Sequence, residues 1–360
     1  MIKIYKDLTI NQEGSKSFSS GSIEALDVAE AIGIFLVILG HVTQNDFART
    51  LIYSFHMPLF FFLSGLTANF NKENFVLRKF QTLMIPYFIW AFVFLLYWIF
   101  IERRVRGSEG VDILTPIKGA IFGLGKGDFL IFNVVLWFLP SLFCVECLAY
   151  FVNKRFPLDK RPVQIFVLIA FHLLSWGITR YTNKLSFPFC IETAFIAMPF
   201  YLVGIYFKDY VMSFLKNTKL IVLFCIFAIS LTLMFLAPGN MADIRAGVVG
   251  NYFLFYTKAL LGTICVLSIS PFLQKNLLIL AIGKSTLVLM IFHDPLKRIM
   301  IKVAAVLSHI PVNELRESIP ANVIITIIII SLIMPVKFVI EKYFPQSLGK
   351  AKPSAKLSHA

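Results

Sequence analysis

The sequence predicts an all-α, polytopic membrane protein, about ten transmembrane helices in a single helical bundle. Three observations predict it. Hydrophobic residues make up 58% of the 360 positions and charged ones 15%, with a mean hydropathy of +0.78. A soluble globule of that composition would lack the polar surface to cover itself. Apolar runs recur that are long enough to cross ~30 Å of hydrocarbon as helices. These runs are continuous, which excludes a barrel built from alternating segments of ~10 residues. The net charge of +14 sits in the connections between the runs, so it argues for membrane loops and against a nucleic-acid partner.

Taken in order, the first span covers about 27–44 and ends at "TQND". The second, 49–68, stops at the basic connection "NKENFVLRKFQ", and the third, 83–101, stops at "ERRVRGSEG". A loop over about 103–128 leads to the fourth, 130–152, which "NKRFPLDKRP" separates from the fifth, 163–178. The sixth, 188–207, and seventh, 219–237, flank "KDYVMSFLKNTK"; "APGNMADIRAGVVGN" precedes the eighth, 252–273. The ninth is 277–296. A loop over about 297–319 follows, with an amphipathic stretch, "LKRIMIKVAAVL", expected to lie on the outer membrane surface. The tenth is 320–340. An even number of spans puts both termini on one side, and the Lys/Arg-rich short connections and tails assign that side to the cytoplasm. The expected organisation is a cytoplasmic N-terminal tail (1–22), a transmembrane domain (23–343) and a cytoplasmic C-terminal tail (344–360). No cleavable signal peptide is expected, since the first residues are polar. No internal repeat is visible, which argues against a transporter made of duplicated halves.

The stretch "LDVAEAIGIFLVILGHV" carries Asp27 and Glu30 at one end and His41 at the other. Eleven residues are three turns plus ~20°, so Glu30 and His41 share a face about 16 Å apart along the axis. Asp27 falls on nearly the same stripe. Acidic groups at a helix start suit its dipole, which is a purely structural account of Asp27 and Glu30. An imidazole inside a span is expected to face protein or a hydrated cavity. In the second span, "FHMPLFFFLSGL", His56 and Pro58 stand near the start, with Pro58 expected to allow a kink, and Ser64 and Gly65 allow close helix approach. The five cysteines all lie in apolar runs. Cys144 and Cys147, in "CVEC", read as small buried side chains more than as a redox or metal pair.

"LDVAEAIGIFLVILGH", "FHMPLFFFLSG", "RKFQTLMIPYFIW", "LWFLPSLF" and "AIGKSTLVLMIFHDPL" follow one another in an order and spacing that resemble the acyltransferase-3 family of integral membrane O-acyltransferases. The resemblance runs from about residue 22 to about 343. It implies an O-acetyltransferase of the bacterial cytoplasmic (inner) membrane that takes acetyl, or another short acyl group, from acyl-CoA as co-substrate. The acceptor would be a hydroxyl of a cell-surface glycan or lipid-linked glycan such as O-antigen, capsule or exopolysaccharide. No bound cofactor and no metal are implied.

His41 matches the family's essential histidine. The basic residue usual eleven positions earlier is Glu30 here, a charge reversal. Of the two basic residues usual before "IP", Lys79 matches the first and Thr82 replaces the second, with Arg78 adjacent. The expected donor-binding set is therefore Arg78, Lys79 and Glu30, in which Glu30 pairs with either cation or holds a local salt bridge. Glu192 is the second expected catalytic residue, its partner being His41 or Lys258. Asp27, His56, Ser64, Trp137 and His293 are expected to line the pocket; His172 reads as packing. Two other readings stay open, a non-catalytic relative that exports a glycan or small acyl compound, and a membrane scaffold. The acceptor hydroxyl and the oligomeric state are not legible.

Overall fold

The computed structural model describes residues 20–156, 158–181, 185–237 and 239–350. In chain order its helices are α1 (Ser20–Val42), α2 (Asp46–Tyr53), α3 (His56–Leu66), α4 (Phe75–Val105), α5 (Leu114–Phe122), α6 (Val134–Arg155), α7 (Arg161–Tyr181) and α8 (Ile191–Tyr206). There follow α9 (Lys208–Asn217), α10 (Leu220–Leu236), α11 (Tyr252–Leu273), α12 (Leu277–Gly283), α13 (Thr286–Ser308), α14 (Val312–Glu317) and α15 (Ile319–Tyr343). Six helices among the described residues are long and apolar enough to cross a membrane, and α12–α13, bent by 78°, makes a seventh if it counts as one span. α1, the α2–α3 pair and the shorter α10 pack with them, and the all-α membrane bundle is observed. Helices are the expected form because backbone polar groups in hydrocarbon must be satisfied within the segment.

The bundle has two ends. The near face holds the start of α1, where Lys284 pairs with Asp27 at 3.6 Å, and the end of α15. The far face holds the end of α1, where Thr43 and Asn322 both donate to the Arg316 carbonyl. α1 is the hub, in contact with α3, α11, α12, α13 and α15. In the core α3 packs closely against α8. A Cβ on Gly65 would stand 2.1 Å from the Tyr201 carbonyl oxygen, and one on Gly204 2.3 Å from that of Phe62. Small residues let the two backbones touch, which is how helices pack when lipid removes the hydrophobic drive. Peripheral helices show the complementary pattern. On α7 only Val167, Phe171 and Ser175, four residues apart, are buried, while Ile165, Phe166 and Leu173 point outward as a lipid face.

Four expectations need correction. α1 begins at Ser20, so Asp27 lies two turns inside the helix and does not cap its start. The second span is two helices with a break at Ser54–Phe55. Pro58 falls in the first turn of α3, where its missing N–H costs nothing, so it kinks nothing. The stretch from Leu296 to Leu307 is not a separate surface helix but the continuation of α13, and the bend of that span comes earlier, between Gly283 and Thr286. A Cβ on Gly283 would lie 1.9 Å from the Asp27 carbonyl oxygen, so the bend brings α12 against the backbone of α1.

Candidate active site

Two connected cavities open at the near face. The outer one, a vestibule of about 900 Å³, is basic: Lys72, Arg78, Lys79 and Lys350 line it. The inner one, about 100 Å³, is a narrow apolar passage. Lys79, Thr82, Gly349 and Lys350 border both and form the neck between them. A wide π turn, Phe80–Met84 within α4, places Thr82 there. Beyond the neck the walls are Phe60 and Ser64 of α3, Trp137 and Phe138 of α6, and Met290 of α13. From α1 come Ile34, Val37 and His41, spaced three and four residues apart on one helical face. His41 is half-buried, and its ring borders this passage.

The surroundings of His41 hold it in place. Arg316 Nε donates to the Val42 carbonyl at 2.8 Å and a terminal guanidinium nitrogen to the His41 carbonyl at 3.3 Å. A guanidinium satisfying the last carbonyls of α1 also complements the negative end of its dipole. The His41 ring centre is 5.4 Å from that of His293 and 6.1 Å from that of Tyr53, which in turn packs edge-on to His56 at 4.9 Å. His293 and His56 each donate from Nδ1 to a carbonyl one turn back, Leu289 at 2.9 Å and Ile52 at 2.8 Å. That bond fixes the tautomer and leaves Nε2 as the acceptor on both rings. His293 Nε2 is buried and finds no hydrogen-bond partner among the described residues. Behind His293 runs a buried charge network. Asp294 pairs with Lys297 at 2.7 Å and with Arg298; Arg298 also pairs with Glu102, which Arg106 reaches at 3.4 Å.

One comparison decides the family, since the model of an acyltransferase domain matches residues 23–341, nearly the whole chain. The chain belongs to the acyltransferase-3 family. No curated protein and no solved structure matches it.

In this acyltransferase the residues singled out in the sequence fall in separate places. His41, Ser64, Trp137 and Lys79 meet on the passage, and Arg78 lies in the vestibule. His56 and His293 stand behind His41, outside both cavities. Asp27 and Glu30, at the near end of α1, also line neither. Asp27 pairs with Lys284, and Glu30 accepts a hydrogen bond from Thr286 Oγ1 at 3.3 Å. Thr286 itself borders the passage, so Glu30 is one side chain removed from it. Glu192 is buried at the start of α8, where the Phe187 N–H donates to it and Lys126 Nζ stands 4.0 Å away. Burial lowers the pKa of Lys126, and the Glu192 carboxylate beside it works the other way. His172 donates from Nδ1 to the Tyr252 hydroxyl at 3.0 Å, a packing contact between α7 and α11.

Three groups escaped the sequence reading. Glu146 accepts from Lys79 Nζ at 2.8 Å and from Ser64 Oγ at 3.1 Å in the passage wall. Its sequence signal is a carboxylate inside an apolar run, between Cys144 and Cys147. Lys350 comes from the end of the described chain, and no local pattern marks it. Glu102 and Arg298 look like loop charges in sequence and become buried partners only when α4 and α13 meet.

Proposed function

We propose that this protein is an O-acyltransferase that moves a short acyl group, acetyl by default, from acyl-CoA to a hydroxyl of a cell-surface glycan. The observation that carries the proposal is the continuity of a basic vestibule, a narrow apolar passage and the His41 ring. A CoA thioester has that composition: a phosphate-rich end for Lys72, Arg78 and Lys79, and a thin arm that suits an apolar channel. In this reading the near face is cytoplasmic, which agrees with the basic short connections. The acceptor hydroxyl arrives from the far face, where α1 ends.

The chemistry is a single displacement. His41 takes the proton of the acceptor hydroxyl as the oxygen attacks the thioester carbonyl. The tetrahedral intermediate collapses, the C–S bond breaks, and the proton passes from the imidazolium to the departing thiolate. An ester and free CoA are the products. His293, whose ring centre is 5.4 Å from that of His41, steadies that imidazole by packing against it. Glu192 and Lys126 belong to the far face in this scheme and would meet the acceptor.

Membranes that contain only this protein, given radiolabelled acetyl-CoA and the host surface glycan, should label the glycan. His41→Ala should lower the label by about 10²-fold or more at unchanged protein abundance. Undiminished labelling by that variant would sink the role of His41. Glycan movement across the bilayer without acyl-CoA consumption would replace the enzyme with an exporter.

A further inference from the structure

The last described residues, 345–350, form a hook that no step above uses. After α15 the chain makes a 3-10 turn, Pro345–Leu348, and folds back onto α4. Three contacts seat it. Trp90 Nε1 donates to the Ser347 carbonyl at 2.9 Å. Leu348 is buried and borders the passage. Gly349, at φ +66°, lies so close to α4 that a Cβ would be 2.6 Å from Thr82 Cα and 2.8 Å from its carbonyl oxygen. The left-handed backbone and the lack of clearance both require glycine there.

This seat delivers Lys350 to the neck, beside Thr82, which brings no charge, and with Lys79 also on the rim. Lys350 Nζ pairs with Glu341 at 2.8 Å, and Lys337 approaches the same carboxylate at 3.8 Å. Two cations share one anion, so the cluster that Lys350 forms with the end of α15 keeps a net positive charge. Lys79 is likewise paired, with Glu146. A polyanion entering the neck therefore meets two cations held in place by carboxylates, and little ordering entropy remains to be lost.

We infer that Lys350 is a donor-positioning residue, a cation that the C-terminal hook carries to the neck to hold the phosphate groups of acyl-CoA, together with Lys79, while the acyl-bearing arm occupies the passage. The inference rests on the acyl-CoA reading above and adds to it an element far from the other donor residues in sequence.

The test needs no acceptor. The full-length protein in nanodiscs is titrated with CoA at several salt concentrations. Lys350→Gln should weaken CoA binding about tenfold, the loss of one charge-assisted contact, and flatten its salt dependence. Lys350→Arg should stay close to the unaltered protein, and both variants should elute and melt like it. Equal CoA affinity in Lys350→Gln and the unaltered protein overturns the role of the hook and leaves the acyl-CoA reading standing. A loss in Lys350→Arg as large as in Lys350→Gln also overturns it, because charge would then not be what matters. Absence of CoA binding by the unaltered protein takes down both.

Discussion

At the scale of single residues, the site depends on charges and rings buried with partners. Asp294 is 1% exposed and sits between Lys297 and Arg298, directly after His293. Asn at this position would take the carboxylate away from Lys297 and leave Arg298 to share Glu102 with Arg106. Removing one member of a buried ionic group typically costs about 3–5 kcal/mol, because the remaining charges stay buried. Asp294→Asn should therefore lower the melting temperature of the detergent-solubilised protein, and Asp294→Ala by at least as much. An unchanged melting curve would mean that water, not Asp294, compensates these cations. Some of this was readable beforehand. His41 stands out because an imidazole in an apolar run needs a reason. Glu30 stood out equally, but its place beside Thr286, one side chain away from the passage, depends on the bend between α12 and α13. Periodicity along α1 puts Glu30 and His41 on one face; it does not say what covers each end of that face.

Among elements, the decisive contact is α3 against α8, where Gly65 and Gly204 bring backbones together. α3 also supplies Phe60 and Ser64 to the passage. Gly65→Ala must push the helices apart, since the new methyl would meet the Tyr201 carbonyl and not a flexible side chain. The expected destabilisation is about 1–3 kcal/mol, read as a lower melting temperature, with Gly204→Ala similar. The two together should cost less than the sum of each alone, because the first methyl already separates the pair. Strict additivity would show that the two glycines act independently. Ser64–Gly65 as a site of close approach was visible in the sequence; the partner helix was not. The break between α2 and α3 was also hidden, because an apolar run looks the same whether one helix or two cross it.

For the molecule as a whole, the start of α1 and the end of α15 lie at one face, and apolar side chains such as Phe92, Phe100, Ile221 and Phe338 are exposed around the belt. The proposed orientation makes a direct prediction. In a chain cleared of its native cysteines, Glu109→Cys should react with a membrane-impermeant thiol reagent in intact cells, and Asn71→Cys only after the membrane is opened; both positions are exposed. The reverse pattern would invert the protein and place the vestibule away from cytoplasmic CoA. What the sequence determined by itself was the class, most of the helical segments, the family and His41. Each follows from local content, since a run in hydrocarbon must satisfy its own backbone and a polar residue there must be accommodated. Only the tertiary structure decided that Gly349 packs on Thr82 and brings Lys350 to the neck, that Glu146 holds Lys79, and that His41 borders a passage whose mouth is basic. The reason is physical. Between helices surrounded by lipid, pairing is set by shape, small residues and buried polar contacts, and none of these leaves a periodic trace along the chain.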